Sequence, residues 1–302
     1  MKHFDLRWLI MAVALALSAP THAKLKALSC EPEWAALLTE IGGTNIDVSS
    51  ATTGLQDPHR IEARPSLIAR ARNAQLLVCT GLELESGWLP LLMQQSGNPR
   101  IQPGQPGNFM AGSLVRRLEI SRQIDRSQGD VHGSGNPHIQ MNPHNIARVA
   151  EALAERLVEL DPAHRAEYAA GYRQFQQRWN EAIAGWEQRA TPLRGVTVVT
   201  HHKDMVYLLD WLGMQEIGNL EPKPGLEPSS AHLARLLEQL RQQPARMVLR
   251  TPYQSEQASA WLAENAHIKA VMLPNTVGGS DAASSLFTLF DDILTRLLDA
   301  NT

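Results

Sequence analysis

The chain has 302 residues with a formal net charge of -3, and 43% of its residues are hydrophobic. This charge balance argues against a basic nucleic-acid-binding surface and against attraction to an anionic membrane. The length predicts one large or two medium-sized domains with a substantial buried core.

The first 23 residues have the pattern of a secretory signal peptide. The positively charged Lys2 and Arg7 precede the apolar run at 8–17. Thr21-His22-Ala23 offers a small-residue cleavage site. An apolar run of this length is too short to anchor a chain in a bilayer. We therefore expect export and cleavage after Ala23.

Cys30 and Cys79 are the only two cysteines, and both lie in the part of the chain expected to be exported. An even cysteine count in an oxidising compartment favours a Cys30–Cys79 disulfide. Two buried free thiols are the alternative, because each cysteine stands in an apolar, strand-like context.

Short apolar strands and amphipathic helices alternate in the first half of the chain. Strands are predicted over 46–50 and 76–79, and helices over 31–41, 65–74, 85–95 and 145–160. This alternation is typical of βα units around a parallel sheet. The segment 97–135 is rich in Gly and Pro and is predicted to be irregular.

A long helix is predicted over 162–190, where aromatic and apolar residues recur at spacings of three and four. They are Tyr168, Tyr172, Phe175, Trp179, Ile183 and Trp186. A helix of about 28 residues would be about 42 Å long, which suits a rigid connection between two lobes. The alternative is a coiled-coil dimerisation helix.

The βα alternation resumes after this helix. Strands are predicted over 196–200, 247–249 and 270–273, and helices over 203–213, 231–243, 255–265 and 286–298. The predicted fold is therefore α/β, with two lobes that each hold a mainly parallel sheet flanked by helices. We expect the N-terminal lobe at 24–160, the rigid linker helix at 161–191 and the C-terminal lobe at 192–302.

Four candidate metal ligands stand in loops between predicted strands and helices. They are His59 in QDPHRIEARPS, His138 in GNPHIQMNP, His202 in VVTHHKDMVYL and Asp281 in NTVGGSDAASSLF. Ligand-binding groups in α/β lobes collect at the carboxyl ends of strands. Three neutral imidazoles and one carboxylate form a donor set suited to Zn²⁺. Because the four residues span the chain, a shared site must lie between the lobes.

These motifs also carry a family resemblance over essentially all of the chain after Ala23. The matching segments are DPH followed by Pro-Ser, GNPH…NPHN, HHKDMVYLLDWLG, EPKPGLEPSS and GGSD…LFTLFDDIL. The chain resembles the metal-binding solute-binding proteins of ABC transporters, the zinc and manganese receptors of the bacterial periplasm. The resemblance implies two α/β lobes joined by one long helix, with the metal buried between them.

By this resemblance, His59, His138 and His202 match the three family histidines. His202 is preferred to His201 because it stands five residues before Tyr207. Asp281 is the matching carboxylate, although the spacing around it departs from the better-known pattern.

Other residues remain open as ligands or accessories. Asp291 and Asp292 are alternatives to Asp281, but a solvent-facing position on a helix is expected for both. His132 could make an auxiliary contact with the metal. His144 follows Pro143 in the first turn of a helix, which favours a capping or surface role. Glu62 could orient His59 or form a surface salt bridge.

The function implied is that of a non-enzymatic receptor that captures Zn²⁺ in the periplasm and delivers it to the membrane permease of an ABC importer. A metallochaperone is a further possible partner, and a monomer is expected. Manganese or iron receptors of the same type are the alternative, and a secreted zinc hydrolase or an adhesin is less favoured. Catalytic zinc needs an open position and a general base, and no HExxH motif is present.

Overall fold

The computed structural model describes residues 23–120 and 132–302. The predicted signal peptide therefore lies, except for Ala23, outside the described residues. The strands are β1 (Leu25–Ser29), β2 (Ile46–Ser50), β3 (Leu76–Cys79), β4 (Asn108–Met110), β5 (Thr197–Thr200), β6 (Gln215–Asn219), β7 (Met247–Arg250) and β8 (Lys269–Met272). The α-helices are α1 (Pro32–Gly42), α2 (Pro65–Asn73), α3 (Leu89–Ser96), α4 (Pro143–Leu160), α5 (Arg165–Arg189), α6 (Val206–Leu212), α7 (Ser230–Gln242), α8 (Glu256–Ala266) and α9 (Leu286–Asn301).

The strands form two four-stranded parallel sheets of matching topology, in the orders β2-β1-β3-β4 and β6-β5-β7-β8. In each sheet the second strand along the chain lies on one side of the first, and the third lies on the other. Such a reversal opens a crevice at the carboxyl ends of the central strands, where α/β proteins bind ligands. The predicted fold of two α/β lobes with parallel sheets is confirmed.

Three strands are not predicted by the sequence analysis, namely β1, β4 and β6. β4 has three residues and lies at a sheet edge, and β6 (QEIGN) mixes polar residues with Gly218. By contrast β3 (LLVC) is buried at every residue, as expected for a strand covered on both faces. The edge strands β4 and β6 lack this continuous apolar signal, so only their pairing with a neighbouring strand reveals them. β1 (LKALS) lies inside its sheet, but the exposed Lys26 interrupts its apolar run.

The predicted long helix is confirmed as α5, which has 25 residues and lies between the lobes. It begins at Arg165 rather than at Pro162, because residues Pro162–His164 form a single 3₁₀ turn. The aromatic stripe on α5 lies in the core, where Phe175 and Trp179 are fully buried. This burial within the chain, rather than a dimer seam, accounts for the stripe.

The apolar core is continuous from one sheet to the other. One cluster of buried side chains contains Val78 of β3, Val198 of β5 and Trp179 of α5. The long helix therefore supplies core to both lobes. Within the described residues, no helix has the length and apolarity needed to cross a bilayer.

Cys30 and Cys79 form a disulfide with a Cα–Cα distance of 4.8 Å, which confirms the predicted pair. Both cysteines are fully buried and follow or end the adjacent strands β1 and β3. The bond therefore joins the carboxyl ends of the two central strands of the first sheet.

The lobes also contact each other through loops near the carboxyl ends of their strands. Thr276 donates a hydrogen bond to the buried carboxylate of Glu33 at the start of α1. Elsewhere, a Cβ atom added to Gly54 would lie 2.3 Å from the carbonyl carbon of Gly278. The backbones at this point are too close for a side chain, so glycine is required there.

Candidate metal site

His202 lies in the loop between β5 and α6. The ladder of β5 continues to His201, whose N–H donates to the carbonyl of Leu249 at 2.8 Å. The sequence predicts a helix from residue 203, but α6 begins only at Val206. The extra loop residues keep the His202 side chain at the carboxyl edge of the second sheet.

His138 is held by the Asn136-Pro137-His138 turn. The side-chain oxygen of Asn136 accepts the backbone N–H of His138 at 3.0 Å. The amide of Asn136 also donates to the carbonyl of Lys203 at 2.7 Å, and the hydroxyl of Tyr207 donates to the carbonyl of Asn136 at 3.1 Å. This turn therefore joins the first half of the chain to the loop that carries His202.

His59 follows the irregular loop before α2. Both its backbone N–H and its ring Nδ1 contact Asp57 Oδ1, at 3.0 and 2.8 Å. The indole of Trp88 donates to the carbonyl of Pro58 at 2.8 Å, which anchors the loop beside the ring. Asp57 and Pro58 of the DPH motif are thus what position the His59 imidazole.

The three rings converge in the crevice between the lobes. The ring centroids lie 5.4 Å apart for His59 and His138, 5.7 Å for His59 and His202, and 5.7 Å for His138 and His202. One nitrogen from each ring lies within 4.8 Å of the others. Two nitrogens on a tetrahedral Zn²⁺ would be about 3.3 Å apart, given Zn–N bonds near 2.0–2.1 Å. A small contraction would bring the three nitrogens to bonding distance.

Carboxylates behind two of the rings set their tautomers. Asp57 contacts Nδ1 of His59, and Glu221 contacts Nδ1 of His202 at 2.7 Å. Each carboxylate accepts an Nδ1 proton, so each Nε2 presents a lone pair to the crevice. Such carboxylate–histidine pairs orient metal ligands and raise their basicity.

His138 has the opposite surroundings. Its side chain is 1% exposed. Neither ring nitrogen has a hydrogen-bond partner among the described residues. Burial, and then the neighbouring rings of His59, His202 and His132, hold the pKa of His138 well below its ordinary value. A buried neutral imidazole without a partner is costly unless a ligand uses its lone pair.

The pKa values of the carboxylate-backed groups move for a different reason. Burial alone would lower the pKa of His202, but the hydrogen bond and charge of Glu221 and the charge of Asp204 raise it. Burial alone would raise the pKa of Asp57, but the His59 ring lowers it. Protons therefore compete with a metal for His202 more than for His138.

A family model described as "Zinc-uptake complex component A periplasmic" matches residues 29–300. The chain belongs to this family. Among curated proteins, it is 24% identical over 208 residues to a high-affinity zinc uptake system protein of Yersinia pestis, covering 65% of each chain. It is also 22% identical over 229 residues to a manganese ABC transporter substrate-binding lipoprotein of Streptococcus anginosus, covering 74% of this chain and 71% of that one.

The match thus spans just under two thirds of the length of the Yersinia relative. Among solved structures, the chain shares a fold with a crystal structure of ZnuA. That comparison has a TM-score of 0.77 and 22% sequence identity, and it covers 92% of this chain and all of the other. The family assignment and the fold therefore agree with the resemblance seen in the sequence.

The structure brings together the three histidines predicted from the sequence but not the predicted carboxylate. Asp281 is exposed, and within the described residues the cluster of convergent ligand atoms contains only the three histidines. Asp291 contacts Arg189, and Asp292 contacts Arg296 and Ser280. Coordination by Asp281 stays a prediction.

The remaining candidates divide between the site and the surface. His132 Nε2 lies 3.3 Å from His59 Nε2. His201 is buried beside the site, but its ring is not part of the three-histidine cluster. His144 is exposed and contacts Glu187 at 2.8 Å. Glu62 is a surface residue beside Arg64, which corresponds to the surface alternative.

Sequence reasoning missed Asp57 and Glu221. Asp57 stands two residues before His59 in the quoted DPH motif, so its position was a usable signal. Glu221 is nineteen residues from His202 and follows β6, a strand that was not predicted. Another convergent group, Cys30, Cys79 and Glu85, is not a metal site because its sulfurs form the disulfide.

Proposed function

We propose that this protein captures Zn²⁺ in the periplasm and delivers it to the membrane permease of an ABC importer. The observation that carries the proposal is the convergence of His59, His138 and His202 in the crevice between the lobes. The family assignment supports a receptor that binds its substrate without transforming it. We accordingly propose that the bound metal is cargo and that the protein has no catalytic activity.

Zinc fits this donor set better than manganese. Imidazole nitrogens suit Zn²⁺, whereas Mn²⁺ favours carboxylate and other oxygen ligands, and its general affinity is lower. The carboxylates of Asp57 and Glu221 lie behind the imidazoles. There they compensate the charge of a divalent ion without being required to bind it. The manganese alternative rests on the streptococcal relative, and the titration below separates the two.

Capture and release follow from where the ligands stand. His59 and His138 come from the first half of the chain, and His202 from the second. Separating the lobes would therefore break the site, and we propose that the permease does this on docking. The stiff helix α5 and the continuous core limit the movement to a small one, because a packed core resists gradual deformation.

The test is a zinc and manganese titration of metal-free protein by competition with a chelating indicator. We expect tighter binding of Zn²⁺, and we expect His138→Ala to weaken it tenfold or more, equivalent to about 1.4 kcal/mol per tenfold. His144→Ala is the matched control and should bind as the wild type does. Unchanged zinc affinity in His138→Ala would sink the proposal, and tighter binding of Mn²⁺ would favour the alternative.

The pH dependence gives a second test of histidine ligation. A metal binds the neutral imidazole, so zinc affinity should fall as the pH drops through about 6.5. The same competition titration at pH 7.5 and pH 5.5 measures this. Equal affinity at the two pH values would count against a site built from histidines.

We further propose the lobe boundaries 24–160 and 192–302, the linker 161–191 and cleavage after Ala23. The repeated sheet topology and the position of α5 support the boundaries, and the signal-peptide pattern supports the cleavage site. N-terminal sequencing of the exported protein tests the cleavage site. A metallochaperone partner and a monomeric state stay predictions from the sequence.

A further inference from the structure

Three histidines leave one position open in a tetrahedral zinc site. The carboxylate that the sequence suggests for that position, Asp281, is exposed. Among the described residues, the group of ring nitrogens within 4.8 Å of one another contains His59, His138 and His202, and neither Asp281 nor His132 belongs to it. A different side chain stands at the crevice. His132 shares a cavity of about 140 Å³ with His138 and His202.

The Nε2 atoms of His132 and His59 are as close together as two ligands of one zinc ion would be. Their Nε2 atoms lie 3.3 Å apart, with the ring centroids at 5.3 Å. Two nitrogens of a tetrahedral Zn²⁺ site are separated by about 3.3 Å, given bonds of 2.0–2.1 Å. Because Asp57 accepts the Nδ1 proton of His59, the Nε2 lone pair of His59 faces His132.

The backbone around His132 is held in place. The N–H of Gly135 donates to the carbonyl of His132 at 3.3 Å, which closes a turn. Ser134 in that turn donates through its hydroxyl to Glu83 at 2.8 Å and through its N–H to the same carboxylate at 3.4 Å. His132 therefore stands on a turn that is attached to the first lobe.

Glu83 itself adopts an unusual backbone conformation. Its φ angle is +70°, and that of the preceding Leu82 is +52°. A left-handed conformation is unfavourable at a residue other than glycine, and such strain collects at functional sites. Here it places the Glu83 carboxylate against the turn that carries His132.

We propose that His132 is the fourth zinc ligand, so that four imidazoles and no carboxylate bind the ion directly. This proposal rests on the proposed function, because it completes the site of His59, His138 and His202. A site of four nitrogens is also better matched to Zn²⁺ than to Mn²⁺. The negative charge of Asp57 and Glu221 then acts only through the rings.

The experiment compares His132→Ala with Asp281→Asn in zinc competition titrations and in the visible spectrum of the Co²⁺ form. We expect His132→Ala to lose at least tenfold in zinc affinity. Its Co²⁺ bands should weaken as water enters and the coordination number rises. Asp281→Asn should match the wild type in both measurements. Melting of the metal-free variants controls for folding.

X-ray absorption of the zinc-loaded wild type counts imidazoles without any substitution, and we expect four. Three imidazoles with wild-type affinity in His132→Ala would overturn the inference. Loss of affinity only in Asp281→Asn would assign the position to the carboxylate and also overturn it. In either case, loss of zinc affinity in His138→Ala would still support the proposed function. If His138→Ala also binds normally, the proposed function fails with it.

Discussion

The Glu221 carboxylate controls one imidazole of the site and part of the loop around it. It contacts His202 Nδ1 at 2.7 Å and accepts the N–H of Gly225 at 2.7 Å. The first contact selects the His202 tautomer, and the second closes the segment that covers one side of the crevice. A single side chain thus couples the orientation of a candidate ligand to loop structure.

Replacing Glu221 by glutamine should therefore lower zinc affinity while leaving every candidate ligand in place. An amide can still contact the ring, but it neither compensates the ion's charge nor raises the basicity of His202. We expect Glu221→Gln to weaken zinc binding about 10- to 100-fold, the range found for such partners. Competition titration measures the change.

Glu227→Gln is the matched control for Glu221→Gln, because Glu227 is exposed on the same loop and lines the same cavity. It should change zinc affinity little. An equal loss in both variants would show that general negative charge, rather than the contact with His202, matters.

At the scale of the elements, α5 organises the molecule through Trp179. This side chain is fully buried, and its indole donates to the carbonyl of Pro143 at 2.9 Å. Its ring lies 5.0 Å from that of Phe287 and 5.6 Å from that of Phe290, both on α9. One residue of α5 therefore packs against the start of α4, which follows the His138 turn, and against the last helix.

Truncating Trp179 should destabilise the protein strongly. Trp179→Ala removes the buried ring and leaves the Pro143 carbonyl without this donor, so we expect a loss of about 3–5 kcal/mol in the free energy of unfolding. Urea unfolding of metal-free protein gives the value. Trp261, which is 37% exposed on α8, supplies the matched Trp→Ala control, and we expect a smaller loss there. Similar losses in both variants would contradict a central role for α5.

At the scale of the whole molecule, a buried carboxylate lies at the contact between the lobes. Glu33 on α1 is 1% exposed and accepts a hydrogen bond from Thr276 of the second lobe. Burial raises the pKa of Glu33 to about 7, from an ordinary value of 4.5, although the Thr276 hydrogen bond lowers it. The folded protein thus holds this proton more tightly than the unfolded chain does.

The contribution of Glu33 to the stability of the metal-free protein should therefore fall as the pH rises from about 4.5 to about 7. Across this window the Glu33 carboxyl is protonated in the folded protein and ionised in the unfolded chain. Deprotonation therefore lowers the free energy of the unfolded state relative to the folded state as the pH rises. Glu33→Gln removes the effect. The free energy of unfolding of Glu33→Gln should exceed that of the wild type only slightly at pH 4.5 and by about 3 kcal/mol at pH 8.

Urea unfolding at both pH values, with a chelator present, measures the Glu33 contribution free of metal stabilisation. Glu62→Gln, at a strongly exposed carboxylate, is the control for replacing a glutamate by glutamine. A difference between Glu33→Gln and wild type that does not grow with pH would rule out a buried ionisation at the lobe contact.

Local chemistry in the sequence determined much of this molecule. Buried runs such as LLVC, the stripe on α5, and prolines at helix starts specify strands and helices through their own neighbours. The DPH and NPH motifs likewise place His59 and His138 in turns, because Asp57 and Asn136 bond to the backbone two residues on. These interactions span a few residues, so they can be read along the chain.

Only the tertiary structure decided how distant parts meet. The convergence of His138 and His202, the choice of Glu221 as partner and the exposure of Asp281 depend on contacts between separated segments. The edge strand β6, which leads into Glu221, is likewise defined by its pairing with β5. Burial and hydrogen-bond partners of this kind arise when the two sheets pack around α5. No periodicity or local motif encodes them.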